Sequence, residues 1–226
     1  MKYVIIGGGV AGTTAAEELR KRDASAEVTL VSEEHHPLYS RVLLPHYLKG
    51  KISRERVFLK KESWYGEQNI EWLTGIVCTH LDARNKFVGL SDGRELPYDK
   101  LLIASGGEVR SIDHDVRGVS YLRTLDDADH LMQLLSEQST TARAGIFGGG
   151  FIACDYLNIF AHFQISTVLF HRGAHFFGHS LAPEAGLLIE KHLKDHNVEL
   201  HPHTQVTQLV GEKELSGVVT TTGEHA

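Results

Sequence analysis

A chain of 226 residues with 42% hydrophobic and 23% charged residues has the balance of a globular protein and enough apolar residues for a buried core. Its formal net charge of −6 argues against a nucleic-acid partner, because such binding takes much of its affinity from Lys and Arg at phosphates. No apolar run reaches the length of a transmembrane helix and the N-terminus has no signal-peptide pattern, so we predict a cytoplasmic protein without a membrane partner.

The chain opens with a short apolar run that leads directly into the glycine pattern Gly7-x-Gly9-x-x-Gly12, and apolar residues at helical spacing follow. This order predicts a strand, a tight turn and a helix. Gly7 permits the turn, Gly9 leaves room for a pyrophosphate, and Gly12 lets the helix pack closely on the strand. The helix N-terminus, at Val10 and Ala11, then presents N–H groups to the phosphates. The pattern therefore predicts a dinucleotide site.

A second β-prone run, Glu27 to Val31, is followed by Ser32, Glu33 and Glu34. An acid at this place, about twenty residues after the glycines, is the expected partner of a ribose 2′-hydroxyl. We assign the role to Glu33, with its neighbour Glu34 as the alternative. The other interpretation is a glycine-rich turn followed by a solvated acidic pair.

Three later segments carry a family resemblance. Pro37–Gly50 resembles the Tyr-x-Arg-x-x-Leu stretch of the FAD-dependent pyridine nucleotide oxidoreductases, and Asp92–Gly107 is similar to a characteristic run of that superfamily. Leu122–Ala128 resembles the segment that follows its hinge. Because these motifs fall in the right order over essentially the whole chain, it is identified as a member of this superfamily. The closest likeness is to the rubredoxin, ferredoxin and nitrite reductase flavoproteins.

The resemblance implies roles for three places in the first nucleotide site. Arg41 would lie near the FAD pyrophosphate, where a guanidinium suits phosphate geometry; the other interpretation is a surface salt bridge. Cys78 falls where the superfamily uses a small residue whose backbone meets the adenine, a role compatible with core packing. Ala104, Ser105 and Gly106 would pass the cofactor where the chain leaves this domain.

The cysteines bear on how electrons would leave the flavin. Cys78 and Cys154 are the only two, and they form no closely spaced pair of the disulfide reductase kind. Val42 occupies the place where single-cysteine members carry a thiol, so we take both cysteines as ordinary buried thiols. The resemblance then implies electron transfer from the flavin directly to an acceptor, for instance a small iron protein. Where ferredoxin reductases carry a Lys beside the flavin, this chain has Pro45 and His46.

A second glycine pattern, Gly148-x-Gly150-x-x-Ala153, follows another apolar run. It opens a predicted helix with Phe151 and Ile152 in the first turn, and it predicts a second dinucleotide site. Ala153 replaces the third glycine, and its methyl group moves the helix slightly from the strand.

The strand after this helix, Thr167 to Phe170, ends at His171 and Arg172 rather than at an acid. An acid would bind the ribose hydroxyls and repel a 2′-phosphate, whereas an Arg attracts it. With Ala153, these residues favour NADPH over NADH, and His175 would add to the positive pocket. The other interpretation is that His171 and Arg172 are exposed loop residues.

Two further sets of residues bear on chemistry. The superfamily carries a Glu soon after the second fingerprint, facing nicotinamide and flavin, and the aligned Asp155 is our candidate catalytic residue.

His192 and His196 lie one helical turn apart, with His201-x-His203 after them, as in some zinc sites. No acid or Cys completes a ligand set, so we predict no metal and a solvated face.

We predict an α/β fold with two Rossmann-like, doubly wound dinucleotide-binding domains, residues 1–107 for FAD and 119–226 for NAD(P)H, joined by a hinge. Thr124 is a predicted helix N-cap. Residues 206–210 and 215–222 are predicted to form a hairpin that closes around residues 211–213. Complete superfamily members continue beyond this point, so both domains are expected to be incomplete. We then expect weak FAD binding, slow turnover, and self-association or a partner chain at an exposed sheet edge.

The predicted function is that of an FAD-dependent NAD(P)H oxidoreductase, in which hydride passes from the nicotinamide to the flavin. The alternative, from another class, is a nucleotide-binding subunit or fragment that is catalytically silent without a partner chain. A single-component flavin monooxygenase is disfavoured by the clear second fingerprint.

Overall fold

The computed structural model describes residues 1–112, 116–137 and 142–225. They form two compact units. The first unit comprises Met1–Arg41 and Ser53–Glu108, and the second comprises Val42–Ile52 and the described residues from Val109 onward. No helix in these described ranges is both long enough and apolar enough to cross a membrane.

The chain up to residue 103 forms seven strands and three α-helices. In chain order they are β1 (Lys2–Ile6), α1 (Val10–Arg22), β2 (Glu27–Ser32), α2 (Leu44–Leu48), α3 (Glu62–Glu67), β3 (Ile70–Thr74), β4 (Cys78–Asp82), β5 (Phe87–Leu90), β6 (Glu95–Pro97) and β7 (Lys100–Ile103). One sheet is parallel with the order β3-β2-β1-β7, and another is antiparallel with the order β4-β5-β6. The edge strand β7 of the described sheet leaves Leu102 and Ile103 exposed.

A second set of helices and strands follows residue 124. The elements are α4 (Leu125–Ser136), β8 (Arg143–Phe147), α5 (Phe151–His162), β9 (Ser166–Phe170), α6 (Pro183–Asp195), β10 (Val198–His201), β11 (Val206–Val210), β12 (Gly217–Thr220) and β13 (Gly223–His225). The order β10-β9-β8 is a parallel sheet, and β11-β12-β13 is an antiparallel one that confirms the predicted hairpin. Parallel sheets with helices between their strands confirm the predicted α/β fold class.

The predicted N-cap of α4 is also confirmed, and it closes a reciprocal pair of hydrogen bonds. The Thr124 hydroxyl accepts from the Asp127 backbone N–H at 3.1 Å, and the Asp127 carboxylate accepts from the Thr124 N–H at 2.7 Å. Two N–H groups that helix geometry leaves without intrahelical partners are thereby satisfied.

Strand alternation places apolar side chains on both faces of the first parallel sheet. Ile5 and Leu30 are fully buried on one face, where they pack with Ala16 of α1 and Tyr65 of α3. On the other face Val4 packs with β5 of the antiparallel sheet. A parallel sheet needs cover on both faces, and this cover leaves the carboxyl ends of its strands as the place for a ligand.

The second unit repeats this plan and includes the short helix α2. Its antiparallel sheet packs on β9 through an apolar cluster of Val168, Phe170, Leu209 and Val218. Leu44 and Leu48 of α2 are buried, and the hydroxyl of Tyr47 donates to the Asp129 carboxylate at 2.8 Å. The segment Val42–Ile52 therefore belongs structurally with α4 and α5.

Candidate dinucleotide sites

The first glycine turn lies directly against the chain that follows β7. Gly7 has a φ of +111°, which favours glycine, and a Cβ added there would lie 2.2 Å from the carbonyl oxygen of Ala104. The Ala104 N–H donates to the carbonyl of Ile6 at 2.7 Å. The structure thus brings Ala104 and Ser105 to the glycine turn, where the superfamily resemblance implies a cofactor contact.

Gly12 and Gly9 differ in what surrounds them. A Cβ on Gly12 would lie 1.9 Å from the Gly7 carbonyl oxygen, so this glycine is needed for the close packing of α1 on β1. A Cβ on Gly9 would meet no described heavy atom within 4 Å, apart from its chain neighbours. The space next to Gly9 is therefore open, as a pyrophosphate would require.

The N-terminus of α1 lies behind this open space without a side-chain cap. Gly9 is its N-cap residue, no acid occupies its first turn, and Val10 and Ala11 are exposed. Uncapped N–H groups and the positive end of the helix dipole favour a bound anion. The geometry supports the phosphate role predicted for Gly9, Val10 and Ala11.

Gly8 and Ser32 were not predicted as site residues from the sequence, yet they lie in close contact at the first glycine turn. A Cβ on Gly8 would lie 2.5 Å from the Ser32 hydroxyl oxygen, and Ser32 is buried with its hydroxyl donating to the Glu34 carbonyl at 3.0 Å. The only sequence feature that points to Gly8 is the run of three glycines, Gly7 to Gly9. The dinucleotide-binding motif does not specify the middle residue of this run.

The two candidate ribose acids have different surroundings. Glu34 accepts hydrogen bonds from the Tyr39 hydroxyl and from Nη2 of Arg41, the latter at 2.6 Å, and Nη1 of Arg41 also donates to the Tyr39 hydroxyl. Glu33 is exposed, and its carboxylate pairs with no described residue. Of the two acids, Glu33 is the one available to a ribose, and Arg41 is held in place by Glu34.

Cys78 begins β4 beside the end of β2. It is half-buried and packs on the cluster that contains Val31 and Val88. The nearby Ile76 N–H donates to the carbonyl of Ser32 at 3.0 Å, which fixes this segment next to the candidate acids. Both cysteines are half-buried rather than buried as predicted, and the backbone contact of Cys78 with an adenine stays a prediction.

The second glycine turn repeats the geometry of the first. Gly148 has a φ of +119°, and a Cβ on Gly150 would meet no described heavy atom within 4 Å apart from its chain neighbours. The N-terminus of α5 has neither a side-chain cap nor an acid in its first turn, and Phe151 and Ile152 are exposed. Ala153 is buried, so its methyl group lies in the contact between α5 and the sheet. This site also suits a phosphate group.

The two basic residues after β9 are placed differently. The side chain of Arg172 is exposed, and no described acid pairs with it. The side chain of His171 is only 3% exposed, and its Nε2 lies 3.4 Å from a carboxylate oxygen of Glu190. Burial lowers the pKa of His171, although the Glu190 charge opposes this shift. Nδ1 of the half-buried His175 lies 3.1 Å from the Phe176 carbonyl oxygen. Only Arg172 is thus presented openly to a ligand.

Asp155 lies on α5 near the segment that carries α2. Partial removal from solvent raises the pKa of its carboxyl group, and the positive charges of Lys49 and His46 oppose that rise. Lys49 also donates to the side-chain oxygen of Asn158 at 3.0 Å. The structure therefore groups the candidate catalytic acid with two basic residues. Burial also raises the pKa of the adjacent Cys154 thiol, which makes it a poor nucleophile.

The histidines of α6 form a stacked pair. The ring centroids of His192 and His196 are 4.2 Å apart, and Nδ1 of His196 lies 2.8 Å from the His192 carbonyl oxygen. Across the part of the chain that the structure describes, no three His, Cys, Asp or Glu residues come together as metal ligands.

Two glycine turns, each at the carboxyl end of a parallel strand and each followed by an uncapped helix, define an α/β protein with two dinucleotide-binding folds. The whole chain, residues 1–226, matches the family model of the pyridine nucleotide-disulphide oxidoreductases, and it belongs to that family. The superfamily predicted from the sequence is confirmed. Membership supports the use of FAD and a pyridine nucleotide.

Characterised relatives agree with this placement. The chain is 31% identical over 223 residues to the benzene 1,2-dioxygenase system ferredoxin–NAD(+) reductase subunit of Pseudomonas putida, covering 97% of this chain and 53% of that protein. It is 26% identical over 215 residues to the rubredoxin–NAD(+) reductase of Ectopseudomonas oleovorans, covering 93% and 55%. The solved covalent complex of putidaredoxin reductase and putidaredoxin matches with a TM-score of 0.86 and 28% identity, covering 98% of this chain and 55% of that one. The chain spans about half the length of these relatives.

Proposed function

We propose that the chain provides the FAD and NAD(P)H sites of an oxidoreductase that passes reducing equivalents from the nicotinamide to the flavin and on to an acceptor. The observation that carries this proposal is the pair of open glycines. Gly9 and Gly150 each leave space in front of an uncapped helix N-terminus, and both have extended backbone that other residues adopt readily. Their lack of a side chain is therefore best explained by a ligand, because the fold does not require it.

In the first unit, the backbone at Gly9 and Val10 would hold the FAD pyrophosphate. Glu33 would accept from a ribose hydroxyl, while Arg41, kept in place by Glu34, would add positive charge near the phosphates. Ala104 and its neighbours would border the cofactor beyond the glycine turn. When bound, FAD supplies the hydride-accepting and electron-donating chemistry, which no side chain of this chain provides.

In the second unit, the backbone at Gly150 and Phe151 would hold the coenzyme pyrophosphate. Asp155 would orient the reacting end of the coenzyme or the flavin edge. Partial burial raises the pKa of the Asp155 carboxyl group, and the nearby charges of Lys49 and His46 oppose this rise. The protonation of Asp155 is therefore sensitive to its surroundings. Its side chain is one methylene shorter than the Glu expected from the resemblance, so its reach is reduced.

A one-electron protein acceptor fits the cysteine pattern. Cys78 and Cys154 are separate free thiols. Val42 occupies the position where single-cysteine members of the superfamily carry a thiol, and it is 82% exposed. The relatives named above are reductases of ferredoxin and of rubredoxin. We therefore propose a small iron protein as the acceptor.

We propose NADPH as the preferred coenzyme, on the exposed Arg172 and the absence of an acid from residues 171–175. Because His171 is buried, Arg172 is the one exposed basic side chain among residues 171–175 that supports this preference. The two relatives named above are NAD(+) reductases by name. A charge-assisted contact to a phosphate contributes about 1.5–3 kcal/mol. Arg172→Ala should therefore weaken NADPH binding by at least about tenfold and leave NADH binding unchanged. Equal wild-type affinity for the two coenzymes would refute the preference.

The function itself is tested by adding coenzyme to FAD-saturated protein without oxygen. We expect NADPH to bleach the flavin absorbance, and added ferricyanide to restore it with turnover. The silent-subunit alternative predicts FAD and coenzyme binding without bleaching. Absence of binding at both sites would contradict the proposal altogether.

A further inference from the structure

The helix α6 buries a carboxylate while it exposes leucines. Glu190 is 5% exposed, whereas Leu187 and Leu188 are 54% and 69% exposed. Burial of a charged side chain is costly unless other groups hydrogen-bond to it. The contacts of Glu190 should therefore explain why an acid occupies this position.

Glu190 contacts the loop between β9 and α6 at two points. Its Oε1 accepts from the backbone N–H of the fully buried Phe176 at 2.8 Å, and it lies 3.4 Å from Nε2 of His171. The start of the same loop is tied to the chain after β10, because the His171 carbonyl accepts from the Thr204 N–H at 3.0 Å. We call His171–Phe177 the clasp loop. Glu190 contacts both the first residue of this loop and its buried Phe176.

The clasp loop also contacts the second glycine turn. The Phe177 N–H donates to the carbonyl of Gly149 at 3.0 Å. A Cβ on Gly149 would lie 3.3 Å from Cβ of His171 and 3.4 Å from the ring of Phe176. Gly186 brings α6 even closer to this loop, since a Cβ added there would lie 2.2 Å from the His175 ring. A continuous path of contacts therefore joins Glu190 to the turn that would hold the coenzyme phosphates.

We propose that Glu190 is a positioning residue for the coenzyme site: it holds the clasp loop against the second glycine turn, and thereby fixes both the turn and the exposed Arg172. This inference rests on the proposed function, because the ligand it concerns is the pyridine nucleotide coenzyme. Glu190 acts through Phe176 and His171, and it is not expected to touch the coenzyme.

The titration of His171 gives a readout that a purely space-filling role would not change. The titratable groups that face His171 are Glu190 from α6, His175 from the clasp loop and His203 from the turn after β10. Burial holds the pKa of His171 below its ordinary value, and the Glu190 charge opposes that shift. Removing this charge should therefore lower the pKa of His171 further.

The consequence for stability follows from linkage. With a folded-state pKa below the ordinary value of about 6.5, the unfolded chain binds this proton more readily. The stability that neutral His171 contributes is complete above about pH 6.5 and declines as the pH falls toward the folded-state pKa. Glu190→Gln should make this decline larger.

The experiment compares Glu190→Gln, Glu190→Ala and, as the matched control on the same helix, the exposed Glu184→Gln. Amide hydrogen exchange at Phe176 and Phe177, the His171 titration by NMR, and the Kd values for NADPH, NADH and FAD are measured for each. Glu190→Ala should exchange these amides and release coenzyme at least about tenfold more readily. Glu190→Gln keeps an oxygen that can accept from the Phe176 N–H, so it should retain most of the amide protection and coenzyme affinity while the pKa of His171 falls. FAD affinity and the control should stay at wild-type values.

Two results would overturn the inference in different ways. If wild type binds coenzyme and Glu190→Ala matches it in exchange and affinity, the positioning role is wrong and the proposed function stands. If wild type binds neither NADPH nor NADH, the proposed function is wrong, and the positioning role that rests on it is wrong as well. Retained FAD binding in Glu190→Ala shows that a lost coenzyme affinity is not caused by general unfolding.

Discussion

Gly12 offers a direct test of how tightly α1 packs on β1. In Gly12→Ala the new Cβ would lie 1.9 Å from the Gly7 carbonyl oxygen and 3.1 Å from Cγ2 of the fully buried Ile5. Ordinary contacts between such atoms are about 3.5 Å, so α1 must move by about 1 Å or more in a close-packed core. Overpacking of this kind costs about 1–3 kcal/mol.

For a unit of this size, a cost of about 2 kcal/mol lowers the unfolding temperature by roughly 8–16 °C. The displaced helix N-terminus should also weaken FAD binding. Thermal unfolding followed by circular dichroism and FAD titration measure the two effects. The matched control is Gly66→Ala in α3, whose Cβ would meet no described heavy atom within 4 Å apart from its chain neighbours and its own helix backbone. It should keep wild-type stability or gain about 0.5–1 kcal/mol. A Gly12→Ala protein as stable as wild type would refute the packing argument.

Two further pairs of substitutions test single hydrogen bonds, one pair in each unit. Tyr65→Phe should cost about 1–3 kcal/mol in urea unfolding, because the Leu38 N–H donates to the buried Tyr65 hydroxyl at 2.9 Å and would lose its partner. Tyr98→Phe removes a hydroxyl that bonds to no described residue and serves as its control; equal losses in the two would contradict this reasoning. Thr124→Ala should cost about 1 kcal/mol through loss of the α4 cap, whereas Thr124→Ser should retain most of the stability.

The parts of the fold that sequence predicts well are those fixed by local chemistry. Glycines that need a positive φ or a missing Cβ mark the turns, and Thr124 with Asp127 marks a helix start. Apolar runs next to these signals mark the parallel strands. The superfamily follows from the order of such signals along the chain.

Contacts between segments that are distant in the sequence cannot be predicted from local patterns in this way. Nothing local to His171 predicts its burial or its approach to Glu190, which lies nineteen positions later on another element. Similarly, the choice between Glu33 and Glu34 depends on the positions of Tyr39 and Arg41 after folding. Gly8 is constrained by Ser32, a residue on a different strand. These features are set by tertiary packing, so a linear pattern offers no direct signal for them.

The grouping of Val42–Ile52 with the second unit has the same origin. The sequence places this segment inside the first predicted domain, between β2 and α3. Its buried leucines and the hydrogen bond from Tyr47 to Asp129 direct it to α4 and α5 instead.

The measurement that tests the central claim most directly is a paired titration of Gly9→Val and Gly150→Val with FAD and with NADPH. Both glycines are helix N-caps with extended backbone and open space at Cβ, so both substitutions should cost the fold a similar, small amount. Two separate dinucleotide sites predict that Gly9→Val loses FAD affinity by at least about 100-fold while NADPH affinity is retained, and that Gly150→Val does the reverse. Loss of both ligands together in either variant, or of neither in both, would contradict the account.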